Sequence, residues 1–417
     1  MVRRAWVPGL VLALGMIGAA WAGAMVAASQ SSQTVSPSPQ ETISPEDGPP
    51  ASSDERPASP LGLVEVEAYP QVLQGVTLPQ DPQALLQAID HSLDYLATPK
   101  AGDDYQDYPV AEISRDLVWQ SLQRLRQLIR TSPSDSAFRQ SLAEEFALYQ
   151  SIGNDGEGTV AFTGYFEPDY QASAVPTPEF RYPLYQRPED LDDWPLPHPT
   201  RSELEGPDGL QSDQGPLAGL ELVWLPSRLE AFLVQVQGSA KLQLTDGRVM
   251  SVGYAGRTDY PYTSIGQALV ADGKIAAEDL SLPNLLAYFE ANPESLDDYI
   301  PKNQRFIFFR ETAGGPPTGN LSQPVTAGVS IATDKDLMPP GAMALIQVPL
   351  PERAITGDWI SQDTIRLVLD QDTGGAIIGP GRVDLFVGSG PDAGELAGRI
   401  NTTGQLYYLL LRRQRTP

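Results

Sequence analysis

The sequence predicts a mainly β protein with a group of helices at its N-terminal end. Three patterns lead to that class. Apolar residues recur at helical spacing through residues 81–149. From residue 158 onward the apolar runs are of strand length and end in Gly, Pro or Asp. Asp246-Gly247, set between KLQLT and RVMSV, is a hairpin turn signal.

At the N-terminus, Arg3 and Arg4 precede an apolar run over residues 6–28. A basic flank and an apolar core make a signal peptide, and Ala20-Trp21-Ala22 offers a small-residue cleavage site. The run also reaches the roughly 20 residues that span a bilayer, so an uncleaved anchor stays open. Either way the rest of the chain is expected in the periplasm or cell envelope, held at a membrane or secreted. No Cys is present for lipid attachment. Residues 29–60 are Ser, Pro and acid with almost nothing apolar, the composition of a disordered tether.

Asp81-Pro82 opens the first helix, with acid at the cap and proline at the first helical position. Its apolar stripe is Leu85, Ile89, Leu93 and Leu96. A second helix from Ser114 carries Val118, Leu122, Leu125 and Ile129, and a third, after Ser132-Pro133, carries Phe138, Leu142, Phe146 and Tyr149. GTVAFTGYFEPDYQA then begins the β region. Residues 187–215, rich in acid, Pro and Gly, read as a surface loop with solvated acids. AFLVQVQ reads as a strand with Phe232, Val234 and Val236 on one face and Gln235 and Gln237 on the other. On an open face those two Gln would suit sugar hydroxyls and amides; the plainer reading is a solvent-facing strand. Thr263 and Ser281 cap two short helices. RFIFFRE reads as a buried strand returning to the first domain, and AMALIQVPL, TIRLVLD, VDLFVG and QLYYLLLRR complete the strands.

The chemistry concentrates in residues 371–400. TIRLVLD leads into Asp372 and DLFVG opens on Asp384, twelve positions later. Gly374, Gly375, Gly379 and Gly381 between them permit a tight turn, so the two strands are expected to fold back on each other with both acids at one mouth. Asp334, in an earlier segment, is the third candidate. Composition narrows the options. Acids outnumber bases 53 to 28, a net charge of −25 that argues against nucleic acid. There are no cysteines for thiolate or Cys–zinc chemistry, and two histidines, His91 and His198, both read as ordinary surface residues. Carboxylate chemistry remains. Two of the acids, Asp372 and Asp334, could equally cap turns.

Several blocks together resemble the membrane-bound lytic murein transglycosylase A family with its three-aspartate (3D) domain. They are FTGYFEP, LAGLELVWLPSRLEAFLVQVQGSAKLQLTDGRVMSVGYAG, PYTSIGQALVADGKI, NQRFIFF, TAGVSIATD and QDTGGAI…GRVDLFVGSG…AGELAGR, in one order over about residues 160–400. The resemblance implies a double-psi β-barrel domain, from residues 61–168 and 310–417, with a second β domain, 169–309, inserted in it. A groove between the two would hold a glycan strand. It implies non-hydrolytic cleavage of the β-1,4 bond between N-acetylmuramic acid and N-acetylglucosamine, with no metal or cofactor, by a monomer. It implies peptidoglycan strands as partner, with proteins of cell-wall synthesis or division as further candidates. The family's catalytic aspartate falls on Asp384 and its other two on Asp372 and Asp334. Groove positions fall on Thr163, Tyr165, Gln235, Gln237, Ser239, Gly374 and Gly375. Ile378 stands where the family commonly has Lys. Two other functions compete: a glycan-binding envelope protein without catalysis, and a hydrolase that uses Asp372 as a second carboxylate with water.

Overall fold

The computed structural model describes residues 62–66, 71–106 and 108–413. The N-terminal leader and the tether of residues 29–60 lie outside the described residues. A short strand β1 (Leu63–Glu65) precedes helices α1 (Gln83–Leu96), α2 (Pro99–Gln106), α3 (Arg115–Thr131) and α4 (Asp135–Glu145). Strands β2 (Phe146–Ser151) and β3 (Val160–Glu167) follow. The Ser114 and Ser134 hydroxyls accept from Leu117 and Ala137 N–H, so each helix starts on a side-chain cap. The third helix is shorter than its apolar stripe suggests. It ends at Glu145, and Phe146 and Tyr149 continue as strand β2, because that strand pairs with the C-terminal one.

The next segment builds a second β unit. Its elements are β4 (Asp169–Ala172), β5 (Tyr182–Tyr185), α5 (Arg201–Glu205), β6 (Glu221–Leu225), α6 (Arg228–Gln237), β7 (Ser239–Leu244) and β8 (Val249–Arg257). Helices α7 (Ile265–Ala271), α8 (Leu282–Ala291) and α9 (Leu296–Tyr299) lead to β9 (Ile307–Thr312). Strands pair in the order β4–β7–β8–β9, with β5–β6 as a separate ribbon. The Asp246-Gly247 turn joins β7 to β8 as expected, with Gly247 at φ 87°.

Three expectations are corrected here. AFLVQVQ is helix α6, not a strand. Ser227 caps it and Gly238, at φ 79°, ends it in the left-handed region. Its Ala231 and Val234 pack into the core of the second sheet, while Phe232 and Leu233 pack against the α7–α9 layer. A helix buried on two sides shows a near-continuous apolar run, which imitates a buried strand. RFIFFRE stays with the second sheet, where β9 pairs with β8. Residues 187–215 are not all loop: α5 carries a capping box on Thr200 and Glu203, and its Arg201 and Glu205 are buried.

The last strands are β10 (Ser330–Ala332), β11 (Met343–Arg353), β12 (Trp359–Asp372), β13 (Arg382–Ser389) and β14 (Asn401–Leu411), with α10 (Pro391–Ala397) between the last two. They run β14–β11–β12–β10–β13–β3, and β14 pairs with β3, so six strands close into a barrel. Closure leaves no free edge. The β3–β13 and β10–β12 pairs are parallel and the rest antiparallel, the mixed topology of a double-psi barrel. Helices α1–α4 cover one side: Leu85, Ile89, Leu122 and Phe138 share a core with Leu345, Val368 and Leu409. The β12 and β13 strands do not fold back on each other. The short β10 lies between them, parallel to one and antiparallel to the other.

Candidate active site

β10 sets the spacing of the two acids. Ala332 is the partner of Asp372 on one side and of Asp384 on the other. Two inter-strand steps separate the Cα atoms of the acids by about 10 Å. The same Asp384 stands opposite Thr163 on its other flank, and Phe386 opposite Tyr165. The barrel register thus gathers Asp372, Asp384, Thr163 and Tyr165 on four neighbouring strand positions.

The two carboxylates have different surroundings. Asp372 is saturated with donors. Its Oδ2 accepts the Tyr165 hydroxyl at 2.7 Å, and its Oδ1 accepts Asn320 and Thr373 N–H, each at 2.9 Å. The Tyr165 ring is held in a tilted contact with Phe386, 5.2 Å between centroids. Burial pushes the Asp372 carboxyl up, and the three donors and Lys335 pull against it. Asp384 has one weak partner, Arg382 Nη2 at 3.5 Å. Burial lifts its pKa to about 6; Arg382 opposes this and the Asp372 charge adds to it.

Asp334 does not face the pair as a reacting group. Its Oδ2 accepts Gly379 N–H at 2.7 Å and its Oδ1 accepts Asp336 N–H at 3.1 Å. It pins the glycine loop that runs from Asp372 to Arg382. Gly379 is at φ 83°, a conformation that favours glycine. Gly374 and Gly375 lie exposed on that loop.

Thr163 Oγ1 accepts Arg382 Nη2 at 2.9 Å. Gln235 is turned inward on α6: its Oε1 accepts Arg201 Nη2 at 2.7 Å and Ile307 N–H at 3.4 Å. That carbonyl stitches α6 to α5 and β9. Gln237, at the end of α6, accepts Phe166 N–H at 3.2 Å and so ties the second unit to barrel strand β3. Ser239 opens β7 opposite Gly253. His91 and His198 are half-buried rather than on the surface. The His91 ring bonds to Pro324 O, and His198 Nδ1 accepts Asp259 N–H. Among the described residues no group of His, Cys, Asp and Glu is placed to hold a metal ion.

Sequence reasoning missed three residues. Arg382 sits two positions before Asp384 on the same strand, so the two-residue period put it on the same face. Tyr262 is half-buried, within electrostatic reach of Asp384, Arg382 and Arg305. Arg305 presses on the glycine loop: a Cβ added to Gly375 would stand 1.5 Å from its Nη1. No spacing signal marked the last two, because they come from the second unit and meet the acids only in space.

Known proteins are similar to this chain in sequence and fold. A family model described as the MltA specific insert domain matches residues 161–310, and one described as the 3D domain matches residues 329–410. Membrane-bound lytic murein transglycosylase A of Escherichia coli K12 is 33% identical over 263 residues, 63% of this chain and 68% of that protein. The protein of the same name from Vibrio cholerae is 32% identical over 268 residues, 63% of this chain and 69% of that protein. Among solved structures, a membrane-bound lytic murein transglycosylase from Agrobacterium tumefaciens matches with TM-score 0.66 and 27% identity, covering 84% of this chain and 98% of that one. E. coli MltA with bound chitohexaose matches with TM-score 0.66 and 26% identity, covering 85% of this chain and 95% of that one.

Proposed function

The chain belongs to the membrane-bound lytic murein transglycosylase A family, and from that premise we propose that Asp384 alone performs its acid–base chemistry. The protein is a lytic murein transglycosylase, a non-hydrolytic peptidoglycan lyase. Its substrate is the glycan strand of peptidoglycan, cleaved between N-acetylmuramic acid and N-acetylglucosamine. The observation that carries the reading is the contrast between the two acids. Asp384 has a pKa near 6 and one long contact, so it can hold a proton and give it up. Asp372 is committed to three donors and is a poor general base.

In the proposed step, the Asp384 carboxyl protonates the bridging oxygen as the bond from the muramyl C1 breaks. Positive charge builds on C1 and its ring oxygen. The 6-hydroxyl of the same sugar attacks C1, and the Asp384 carboxylate takes the proton that this hydroxyl loses. A 1,6-anhydro ring forms, no water is consumed, and Asp384 ends protonated as it began. The nucleophile is part of the substrate, so proximity replaces the second catalytic carboxylate of a hydrolase. Negative charge on Asp372, two strands away, favours the protonated form of Asp384 and the cationic sugar alike.

Thr163, Tyr165, Gln237, Ser239, Gly374 and Gly375 line the groove in this reading, while Gln235 supports α6 from within. The domain limits proposed are residues 61–168 for the first part of the barrel and 169–312 for the insert; the barrel's second part, expected from 310, starts at 313 because β9 pairs with β8. A cell-envelope location follows from the substrate. No helix among the described residues is long and apolar enough to cross a membrane.

The test is mass spectrometry of the soluble products from purified peptidoglycan, with full-length protein beside Asp384→Asn. Products one water lighter than hydrolytic fragments, made by the unaltered protein alone, are expected. Products of hydrolytic mass would transfer the reading to a two-carboxylate glycosidase.

A further inference from the structure

Two arginines of the second unit stand beside the glycine loop that leaves Asp372. Arg305 lies just before β9 and Arg257 ends β8, opposite Ile307. Arg305 Nε donates to Tyr260 O at 2.8 Å, and the rest of the half-buried guanidinium rests on the Gly375 backbone. Arg257 is exposed and touches Arg305 only through like charge. Neither has a carboxylate partner among the described residues. Burial, then the charge of Arg257, lowers the Arg305 pKa to about 10.

This pairing is not forced by a shortage of acids, which outnumber bases 53 to 28. The same unit gives its buried arginines Arg201 and Arg228 carboxylate partners. Arg201 pairs with Glu205 at 3.3 Å, and Arg228 pairs with Glu205 at 3.5 Å and Asp297 at 2.5 Å. Two neighbouring guanidinium groups without counter-ions, one of them half-buried, destabilise the free protein. They become favourable when a ligand brings the anion. Arg305 rests on Gly375, three residues beyond Asp372, so the unpaired cations stand beside the loop that joins the strands of the two acids.

We propose that Arg305 and Arg257 form a carboxylate-binding subsite that takes the acid group borne on the muramyl side of the strand. This rests on the transglycosylase reading above. Muramic acid differs from glucosamine by a lactyl ether. Its carboxyl is free in a denuded strand and is amide-linked in an intact one, where the peptide supplies carboxylates instead. Both sources present the same planar oxygen pair to a guanidinium fork. Muramyl and glucosaminyl units alternate, so an anion held at this point fixes which linkage faces Asp384. The subsite would thus set the register of cleavage as well as affinity.

The test uses full-length protein with Arg257→Gln, Arg305→Lys or the pair, each also in the Asp384→Asn background for binding. Three ligands are compared: intact peptidoglycan strands, strands denuded of peptide by an amidase, and uncharged chitohexaose. Arg257 makes no hydrogen bond, so its replacement leaves the fold intact. The expected result is a loss of roughly tenfold or more in affinity for at least one acidic strand, carried by KM rather than kcat, with chitohexaose binding within about twofold of the parent. A loss confined to intact strands assigns the anion to the peptide, and a loss confined to denuded strands assigns it to the lactyl group. Equal losses for all three ligands, or none for either acidic strand, would overturn the proposal. A failure of the transglycosylase reading would show separately, as unaltered protein that releases no anhydro products.

Discussion

Replacing Asp384 with Asn should make the protein inactive and, above neutral pH, more stable. The folded state holds the Asp384 proton up to a pKa of about 6, against an ordinary 3.8 for the unfolded chain. Between those values the folded protein binds more protons than the unfolded one, so stability falls as pH rises through the window. The full gap corresponds to roughly 3 kcal/mol. The side chain is 20% exposed, and solvent screening brings this to about 2 kcal/mol. Asn does not titrate and keeps nearly the same shape. Urea unfolding of both proteins at pH 4 and pH 8 measures the effect as a midpoint shift at constant slope. The variant should match the parent within about 0.5 kcal/mol at pH 4 and exceed it by about 2 kcal/mol at pH 8. A difference that stays the same at both pH values would refute the idea that burial holds this acid protonated.

Other outcomes follow from the same geometry. Turnover at saturating substrate should decline as pH rises above about 6, because Asp384 must start protonated; a flat pH–rate profile to pH 8 would contradict this. Tyr165→Phe removes one donor from Asp372 and should cost about 1.5–3 kcal/mol by urea unfolding; an unchanged midpoint would contradict the bond. Lys335→Met leaves Asp370, which is fully buried and also bonded to Thr333 and Tyr408, without its counter-charge, a loss of about 3–5 kcal/mol in the same assay. Gly164→Ala would place a Cβ 2.8 Å from the Ala397 backbone, where α10 crosses β3, and should cost about 1–3 kcal/mol.

What could be read from the sequence was whatever local chemistry controls. Ser114 and Ser281 cap helices as their sequence context indicates, and Asp246-Gly247 makes its hairpin. Asp384 and Asp372 stand at strand positions because the flanking apolar runs are strands. What failed was governed by tertiary pairing. Nothing in TIRLVLD or VDLFVG reveals that the three-residue strand β10 will lie between them, since that depends on a segment some forty residues away. The α6 sequence alternates like a strand, and only its burial against two separate cores makes it a helix. The carbonyl of Gln235 was therefore assigned to an open face when it holds a buried arginine. Tyr262 and Arg305 had no local pattern at all, because their meaning comes from what they face across the groove.

The distribution of buried charge is the physical basis for proposing that one aspartate of this barrel reacts and the others do not. Strand β12 ends with two acids, Asp370 and Asp372, and each is answered in place. Asp370 has Lys335, Thr333 and the Tyr408 hydroxyl; Asp372 has Tyr165 and two backbone N–H groups. Asp334 is spent on the glycine loop through Gly379 and Asp336. Asp384 alone is buried with its hydrogen-bonding capacity nearly unused, its nearest cation at 3.5 Å and shared with Thr163. A carboxyl in that position gains little from ionising, so burial raises its pKa to about 6. The same unused capacity leaves its oxygens free to meet a glycosidic oxygen and then a hydroxyl. In the proposed mechanism reactivity comes from withheld partners, and the dense hydrogen bonding of the other three acids holds that vacancy in shape.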